Sequence, residues 1–199
     1  TAATLLAQLS PSFAAPLVTP SDGRLKTSYL EFPSPQGYGT LRGYLAVPAN
    51  ARGKLPAILV VHENRGLNPH IEDVTRRLAL EGYLAFAPDA LHPLGGYPGD
   101  EEKARALFQT LDQAKTRADF VAAAGALKSH PQSTGKVGVV GFCYGGAIAN
   151  YLATVLPDLA AAVPFYGNPP DAADVPKIRA PLLIHDAGKD ARLLAGWPA

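Results

Sequence analysis

The chain lacks the residues that would build a disulfide or a multi-cysteine metal site, since its 199 residues include one cysteine and no methionine. A single thiol has no internal partner, so Cys143 is either a packing residue or a reactive one. An excess of charge of one sign is lacking too, because 18 basic and 17 acidic residues give a net charge of +1. This balance leaves no electrostatic footprint for nucleic acid or an anionic membrane surface, and we expect neither partner, no metal and no cofactor.

The composition, with 47% hydrophobic residues, fits one substantial core and a single domain. We predict a lead-in over residues 1–26 and one domain over residues 27–199. Prolines interrupt residues 10–40 and leave room for one short strand around residues 29–32. The alanine- and leucine-rich start fits two interpretations, the end of a secretory signal or a short helix. The first predicts a periplasmic or secreted protein, the second a cytoplasmic one.

From residue 41 onward, short apolar runs alternate with stretches that have helical periodicity. Such runs suit strands that are buried on both faces, and the alternation predicts an α/β fold with a mostly parallel, doubly wound sheet. The predicted strands lie at residues 41–47, 57–61, 83–87, 137–140, 161–165 and 181–184, and the predicted helices at 71–81, 101–111, 114–128 and 145–155.

The most informative motif is the Gly-x-Cys-x-Gly turn Gly141-Phe142-Cys143-Tyr144-Gly145, which directly follows the run at 137–140. A strand that turns sharply into a helix holds its central residue in strained geometry, and the flanking glycines leave room for that turn. The thiol then lies at a helix N-terminus, where the dipole favours a thiolate and free amides can hold an oxyanion. A buried packing cysteine is the alternative, but the preceding strand and following helix favour a nucleophile.

Ligands of such sheets bind beyond the carboxyl ends of the strands, which directs attention to the residues after each run. Glu63, Asn64 and Arg65 follow the run at 57–61. The amide of Asn64 would join that of Tyr144 in an oxyanion hole, and Arg65 is either a surface residue or a contact for an anionic substrate group. Asp190 follows the run at 181–184 and is the candidate for orienting a catalytic histidine, with Asp186 as the nearer alternative.

These segments resemble the dienelactone hydrolase family of the α/β-hydrolase superfamily in order and spacing. The resemblance is carried by His62-Glu63-Asn64-Arg65-Gly66-Leu67-Asn68, by residues 82–89, by the cysteine turn and by the loop to Asp190, and it covers residues 27–199. It implies a carboxylic ester or lactone hydrolase in which Cys143 is the nucleophile, Glu63 tunes the protonation of the thiol, and Asp190 belongs to the triad. The lead-in is similar to that of the exported branch of the family.

Two departures from the family pattern matter. An arginine that would hold a substrate carboxylate is expected shortly after Pro88-Asp89, where this chain has Ala90-Leu91-His92-Pro93. The family histidine belongs to a segment beyond a further helix and strand, and these 199 residues do not include that segment. We therefore expect the last strand, helix and catalytic histidine to come from elsewhere, such as a C-terminal fragment of the same protein bound as a second chain. The alternative is an inactive hydrolase-fold relic or binding domain.

Overall fold

The computed structural model describes residues 15–195. They form a six-stranded sheet in the order β1-β2-β4-β3-β5-β6. The pairs β3–β4, β3–β5 and β5–β6 are parallel, whereas β2 is antiparallel to both β1 and β4. The strands are β1 (Leu25–Ser34), β2 (Gly39–Pro48), β3 (Leu55–Val61), β4 (Leu84–Pro88), β5 (Ser133–Phe142) and β6 (Ala161–Phe165). The predicted α/β class and the mostly parallel sheet are confirmed.

Within residues 15–195, five α-helices connect or follow these strands, and side-chain caps fix where several of them begin. The α-helices are α1 (Pro69–Leu80), α2 (Glu101–Phe108), α3 (Gln113–Ser129), α4 (Tyr144–Val155) and α5 (Ala191–Leu194). The side chains of Asn68, Asp100 and Asp112 accept hydrogen bonds from backbone amides in the first turns of α1, α2 and α3. Each cap satisfies amides that have no partner within the helix.

The core has two layers because the buried strands point alternate side chains to opposite faces. On β3, Leu59 packs in the cluster formed with α3 and α4, while Val60 packs in the cluster formed with α1. Phe120 of α3 and Ile71 of α1 are fully buried on the two sides. The helices therefore sandwich the sheet, and the loops at the carboxyl ends of β3, β5 and β6 meet at one edge.

Strand β1 is longer than the short strand predicted for this region. It pairs with β2 over ten residues, from Leu25 opposite Pro48 to Ser34 opposite Gly39. Pro33 is tolerated because β1 lies at the edge of the sheet, where a missing backbone donor leaves no interior partner unsatisfied. The prolines therefore mark an edge strand and do not exclude a strand.

The described part of the lead-in is fastened to helix α1. The amide of Val18 donates to Asp73 Oδ1 at 2.8 Å, and Arg76 Nε donates to the Val18 carbonyl at 2.7 Å. Arg76 is almost fully buried and also donates to the hydroxyl of Tyr44 at 3.1 Å. These hydrogen bonds hold the backbone at Val18 against helix α1.

The sheet continues weakly beyond β6, and one of its faces is incompletely covered there. Residues 181–185 run parallel to β6 through the bridges Ala162–Leu182 and Phe165–His185. On the α1 side, Val163 and Phe165 are only partly buried and Leu183 is 58% exposed. No helix among residues 15–195 is long and apolar enough to cross a membrane.

Candidate active site

The turn between β5 and α4 holds Cys143 in a strained backbone conformation. Its φ is 54° and its ψ is −110°, and Tyr166 (φ 41°) is the only other non-glycine residue with positive φ among the described residues. Such a conformation costs of the order of 1–3 kcal/mol, and the surroundings must enforce it. The Cys143 amide donates to the Phe165 carbonyl at 3.0 Å, which ties the turn to the neighbouring strand β6.

Close backbone packing enforces the turn. A Cβ at Gly145 would overlap the carbonyl oxygens of Val61 and His62 at the end of β3. A Cβ at Gly146 would meet the carbonyl oxygen of Phe165 at 2.5 Å. The first turn of α4 is therefore wedged between the ends of β3 and β6, and only glycine fits at these two positions.

A cavity of about 420 Å³ opens at the Cys143 side chain, which is partly exposed. The α2–α3 connection forms one wall, and the residues after β3 and β6 form the others. The described lining consists of Asn64, Phe108, Gln109, Gln113, Cys143, Tyr144, Ala147, Tyr166 and Asn168. The thiol, Asn64 and Tyr144, which the sequence singled out, are thus brought together in one cavity.

Tyr166 links this cavity to Glu63. Its hydroxyl lies 3.4 Å from Glu63 Oε1, within a long hydrogen bond in which the phenol donates. Burial, together with the neighbouring Glu63 carboxylate, raises the pKa of Tyr166 to about 12. The phenol therefore keeps its proton at neutral pH. Glu63 itself lines an adjacent cleft of about 610 Å³ beneath the lead-in, and its contact with the Cys143 cavity is this hydrogen bond to Tyr166.

The loop after β3 is held in place by a buried histidine. His62 Nδ1 lies 2.5 Å from the Glu63 carbonyl and carries the proton, while Nε2 accepts the Ala90 amide at 3.1 Å. Burial lowers the pKa of His62, so the ring is neutral. Because both ring nitrogens are engaged by the backbone, this histidine positions the loop that carries Glu63 and Asn64.

The side chain of Arg65 is committed to neighbours within the protein. Arg65 Nε lies 3.3 Å from Glu101 Oε2, and Arg65 Nη1 donates to Asn64 Oδ1. Glu101 is fixed further by the Tyr97 hydroxyl at 2.8 Å. These contacts hold Arg65 against Asn64, so that Arg65 orients the Asn64 side chain. The position at which the family resemblance predicts an arginine holds Ala90 and Leu91, both buried.

Asp190 lies in the loop that follows residues 181–185. Its Oδ1 accepts the Leu193 amide at 3.3 Å and so caps α5. The His185 ring stacks on Phe165, with ring centroids 4.3 Å apart. No histidine among residues 15–195 makes a hydrogen bond to the Cys143 sulfur. The predicted role of Asp190, orienting a catalytic histidine, therefore stays a prediction.

The sequence motifs assign no role to Tyr166 or to the α2–α3 wall. Phe108 packs edge-on against Tyr144, with ring centroids 4.7 Å apart, and thereby shapes the cavity. Burial raises the pKa of Tyr144. The available signal for Tyr166 was its place immediately after β6 and before Gly167. Nothing in the sequence indicates which strand-end side chain turns toward the thiol.

The chain has recognisable relatives among known proteins. The model of the dienelactone hydrolase family matches residues 41–196. The "Putative hydrolase fragment YghX" of Escherichia coli (strain K12) is 52% identical over 113 residues, covering 56% of this chain and 97% of that protein. A "Putative carboxymethylenebutenolidase" of Salmonella typhi is 35% identical over 170 residues, covering 79% of this chain and 62% of the relative.

A solved structure from the same family is also similar to this chain. The crystal structure of a "Putative Dienelactone Hydrolase" from Klebsiella pneumoniae has a TM-score of 0.66 and 32% identity, with 80% of this chain and 72% of that chain covered. The chain spans between 49% and 62% of the length of the carboxymethylenebutenolidases of Yersinia pestis and Salmonella typhi.

Proposed function

The chain belongs to the dienelactone hydrolase family, and on that premise we propose that it hydrolyses carboxylic esters or lactones with Cys143 as the nucleophile. The observation that carries this proposal is the strained Cys143 at the N-terminus of α4, opening into a cavity of about 420 Å³. Strain of this kind is retained where a side chain must be aimed at a ligand. A small-molecule ester or lactone is the partner that this chemistry requires.

In the proposed reaction, the Cys143 thiolate attacks the carbonyl carbon and forms a tetrahedral intermediate. The amide of Tyr144, which has no partner within α4, and the amide of Asn64 donate hydrogen bonds to the developing oxyanion. Collapse of the intermediate breaks the bond to the alkoxide, which leaves with the proton that the thiol has lost. Water then hydrolyses the thioester, releasing the acid and restoring the thiol.

Glu63 and Tyr166 set the resting state of the thiol in this proposal. The carboxylate of Glu63 disfavours a second negative charge nearby, so it keeps the proton on Cys143 until a substrate is bound. The phenol of Tyr166, 3.4 Å from Glu63 Oε1, donates a hydrogen bond that weakens the field of the carboxylate charge and fixes its position. Tyr166 is therefore a positioning residue that acts through Glu63.

We propose further that the proton-transferring histidine comes from a segment outside these 199 residues and is oriented by Asp190. Two features support this. His62 has both ring nitrogens bonded to the backbone, and His185 is stacked on Phe165. The partly buried apolar side chains of Val163 and Phe165 and the exposed Leu183 offer a surface that a following strand and helix would cover. A C-terminal fragment bound as a second chain would supply the histidine and cover this apolar surface.

An inactive relic or binding domain is the second candidate, favoured by the lack of a histidine bonded to Cys143 within residues 15–195. Turnover of p-nitrophenyl acetate separates the candidates. A triad without its base keeps only about 10³- to 10⁴-fold acceleration over water, so we expect residues 1–199 alone to turn over slowly. Adding the histidine-bearing segment should raise the rate, and Cys143→Ala should abolish the gain. A segment that binds without raising the rate supports the relic.

A further inference from the structure

The lining of the Cys143 cavity carries no charged side chain among the described residues. The lining includes four neutral amide side chains and three aromatic rings. The amides are those of Asn64, Gln109, Gln113 and Asn168, and the rings those of Phe108, Tyr144 and Tyr166. Amides both donate and accept hydrogen bonds, so they can satisfy carbonyl, ether and hydroxyl groups without a compensating charge. The aromatic rings supply apolar area for the remainder of a ligand.

The two nearby arginines are already engaged by other groups of the protein. Arg65 is paired with Glu101 and donates to Asn64. The Arg117 guanidinium lies over the Tyr151 ring, 5.2 Å from the centroid. Two charged groups contact lining residues: the Arg65 guanidinium, already paired with Glu101, reaches Asn64, and the Glu63 carboxylate reaches the Tyr166 hydroxyl. Away from the Tyr144 and Asn64 amides, which the reacting carbonyl would occupy, an anion in this cavity would lose water without gaining an unpaired counter-charge.

Resting on the function proposed above, we propose that the substrate places an uncharged group in this cavity. The enzyme then acts on neutral esters or lactones, and a carboxylate on that part of the substrate prevents productive binding. Selectivity would come from the lack of a counter-charge for the carboxylate, together with the Glu63 charge behind Tyr166. The amide side chains at the rim would orient the neutral substrate.

Binding of a matched neutral and anionic pair tests this without requiring bond cleavage. The pair is 4-acetylbenzamide and 4-acetylbenzoate, called benzamide and benzoate below. Their ketone oxygen can accept from the Tyr144 and Asn64 amides, while the group at the other end of the ring differs by one full charge at neutral pH. Titration of the isotope-labelled protein with each compound, followed through the NMR signals of the Tyr144 and Asn64 amides, gives two dissociation constants. We expect benzamide to bind and benzoate to bind at least about fivefold more weakly at low salt.

A charge reversal of the lining supplies the matched control. Gln109 is exposed and follows the last residue of α2, so an arginine there is compatible with the helix dipole. Gln109→Arg should strengthen benzoate binding about fivefold or more and leave benzamide binding nearly unchanged. Gln132→Arg makes the same change in net charge just before β5, at the opposite end of the strand from Cys143, and should leave both constants unchanged.

Equal or tighter binding of benzoate by the unmodified protein would overturn the inference. So would a Gln109→Arg variant with an unaltered preference, or a failure of both compounds to shift the Tyr144 and Asn64 signals. Thiol reactivity plays no part in these measurements. An unreactive Cys143 would therefore count against the proposed function alone, while a reversed charge preference would count against this inference alone.

Discussion

The phenolic oxygen of Tyr166 lies 3.4 Å from Glu63 Oε1, although the two residues are 103 positions apart in the chain. Tyr166 reaches this position from a backbone φ of 41°, next to the equally unusual Cys143. Strain at both residues, on adjacent strand ends, holds the phenol between the carboxylate and the thiol cavity. In the proposed function, this relationship would let two residues that take no part in bond formation influence the reactivity of Cys143.

Removing the Tyr166 hydroxyl should make the thiol harder to ionise. The phenol, with its pKa raised to about 12, stays protonated and donates to Glu63 at neutral pH. In Tyr166→Phe the carboxylate loses this donor, and its charge acts more strongly on Cys143. The midpoint of the pH profile for iodoacetamide labelling of Cys143 should rise by about half a unit or more. The control Tyr151→Phe removes a hydroxyl from α4 and should leave the midpoint of the labelling profile unchanged. Equal shifts in the two variants would indicate a general structural effect.

Neutralising Glu63 should shift the same profile in the opposite direction. Glu63→Gln keeps the size of the side chain and removes its charge, so the thiolate is no longer disfavoured. We expect the midpoint of Cys143 labelling to fall by about half to one unit. In the double variant Tyr166→Phe, Glu63→Gln, the effect of Tyr166→Phe should largely disappear because the phenol acts through Glu63. An unchanged profile in Glu63→Gln would exclude the coupling.

Adding one methyl group at Gly145 should destabilise the turn. The new Cβ would overlap the carbonyl oxygens of Val61 and His62, which are backbone atoms that cannot rotate away. Gly145→Ala should lower the free energy of unfolding by about 1–3 kcal/mol in urea denaturation. Gly125→Ala is the matched control, since a Cβ there meets nothing within 4 Å and α3 should gain about 0.5–1 kcal/mol. A Gly145→Ala protein as stable as the unmodified one would refute the packing argument.

The buried His62 should make the fold sensitive to mild acid. Burial lowers its pKa in the folded state, so on acidification the unfolded chain takes up a proton that the folded chain does not. Stability is unaffected above about pH 6.5 and falls below it by about 1.4 kcal/mol per unit until the lowered pKa is reached.

Urea denaturation between about pH 5.5 and 7.5 measures this dependence. His62→Asn should remove most of it, while His130→Asn, at a partly buried histidine, should remove less. A stability that rises on acidification over this range would contradict the neutral assignment of His62.

The sequence predicts much of the sheet and the thiol turn because both depend on local signals. The runs at 57–61, 137–140 and 161–165 coincide with the cores of β3, β5 and β6, since buried parallel strands are apolar throughout. The Cys143 turn follows from adjacent glycines. Strand β1 was underestimated because Pro33 lies in it, and only its place at the sheet edge makes that proline acceptable.

The site beyond the turn depends on contacts between distant residues. Neither the Tyr166–Glu63 hydrogen bond nor the pairing of Arg65 with Glu101 has a periodic or short-range signature. Arg65 shows the difficulty, because a strand-end arginine has the same sequence pattern whether it meets a substrate or an internal carboxylate. Side-chain direction at the sheet edge is set by backbone strain and loop packing, which the sequence does not display.

Trapping of an acyl group is the most direct test of Cys143 as nucleophile. The protein is exposed briefly to p-nitrophenyl acetate, quenched in acid and digested, and the modified residue is identified by mass spectrometry. The account predicts one acetyl group on Cys143 as a thioester, released by hydroxylamine and absent in Cys143→Ala, together with one p-nitrophenol released for each acetyl group bound. Acetyl groups confined to lysine side chains, with Cys143 unmodified, would contradict it.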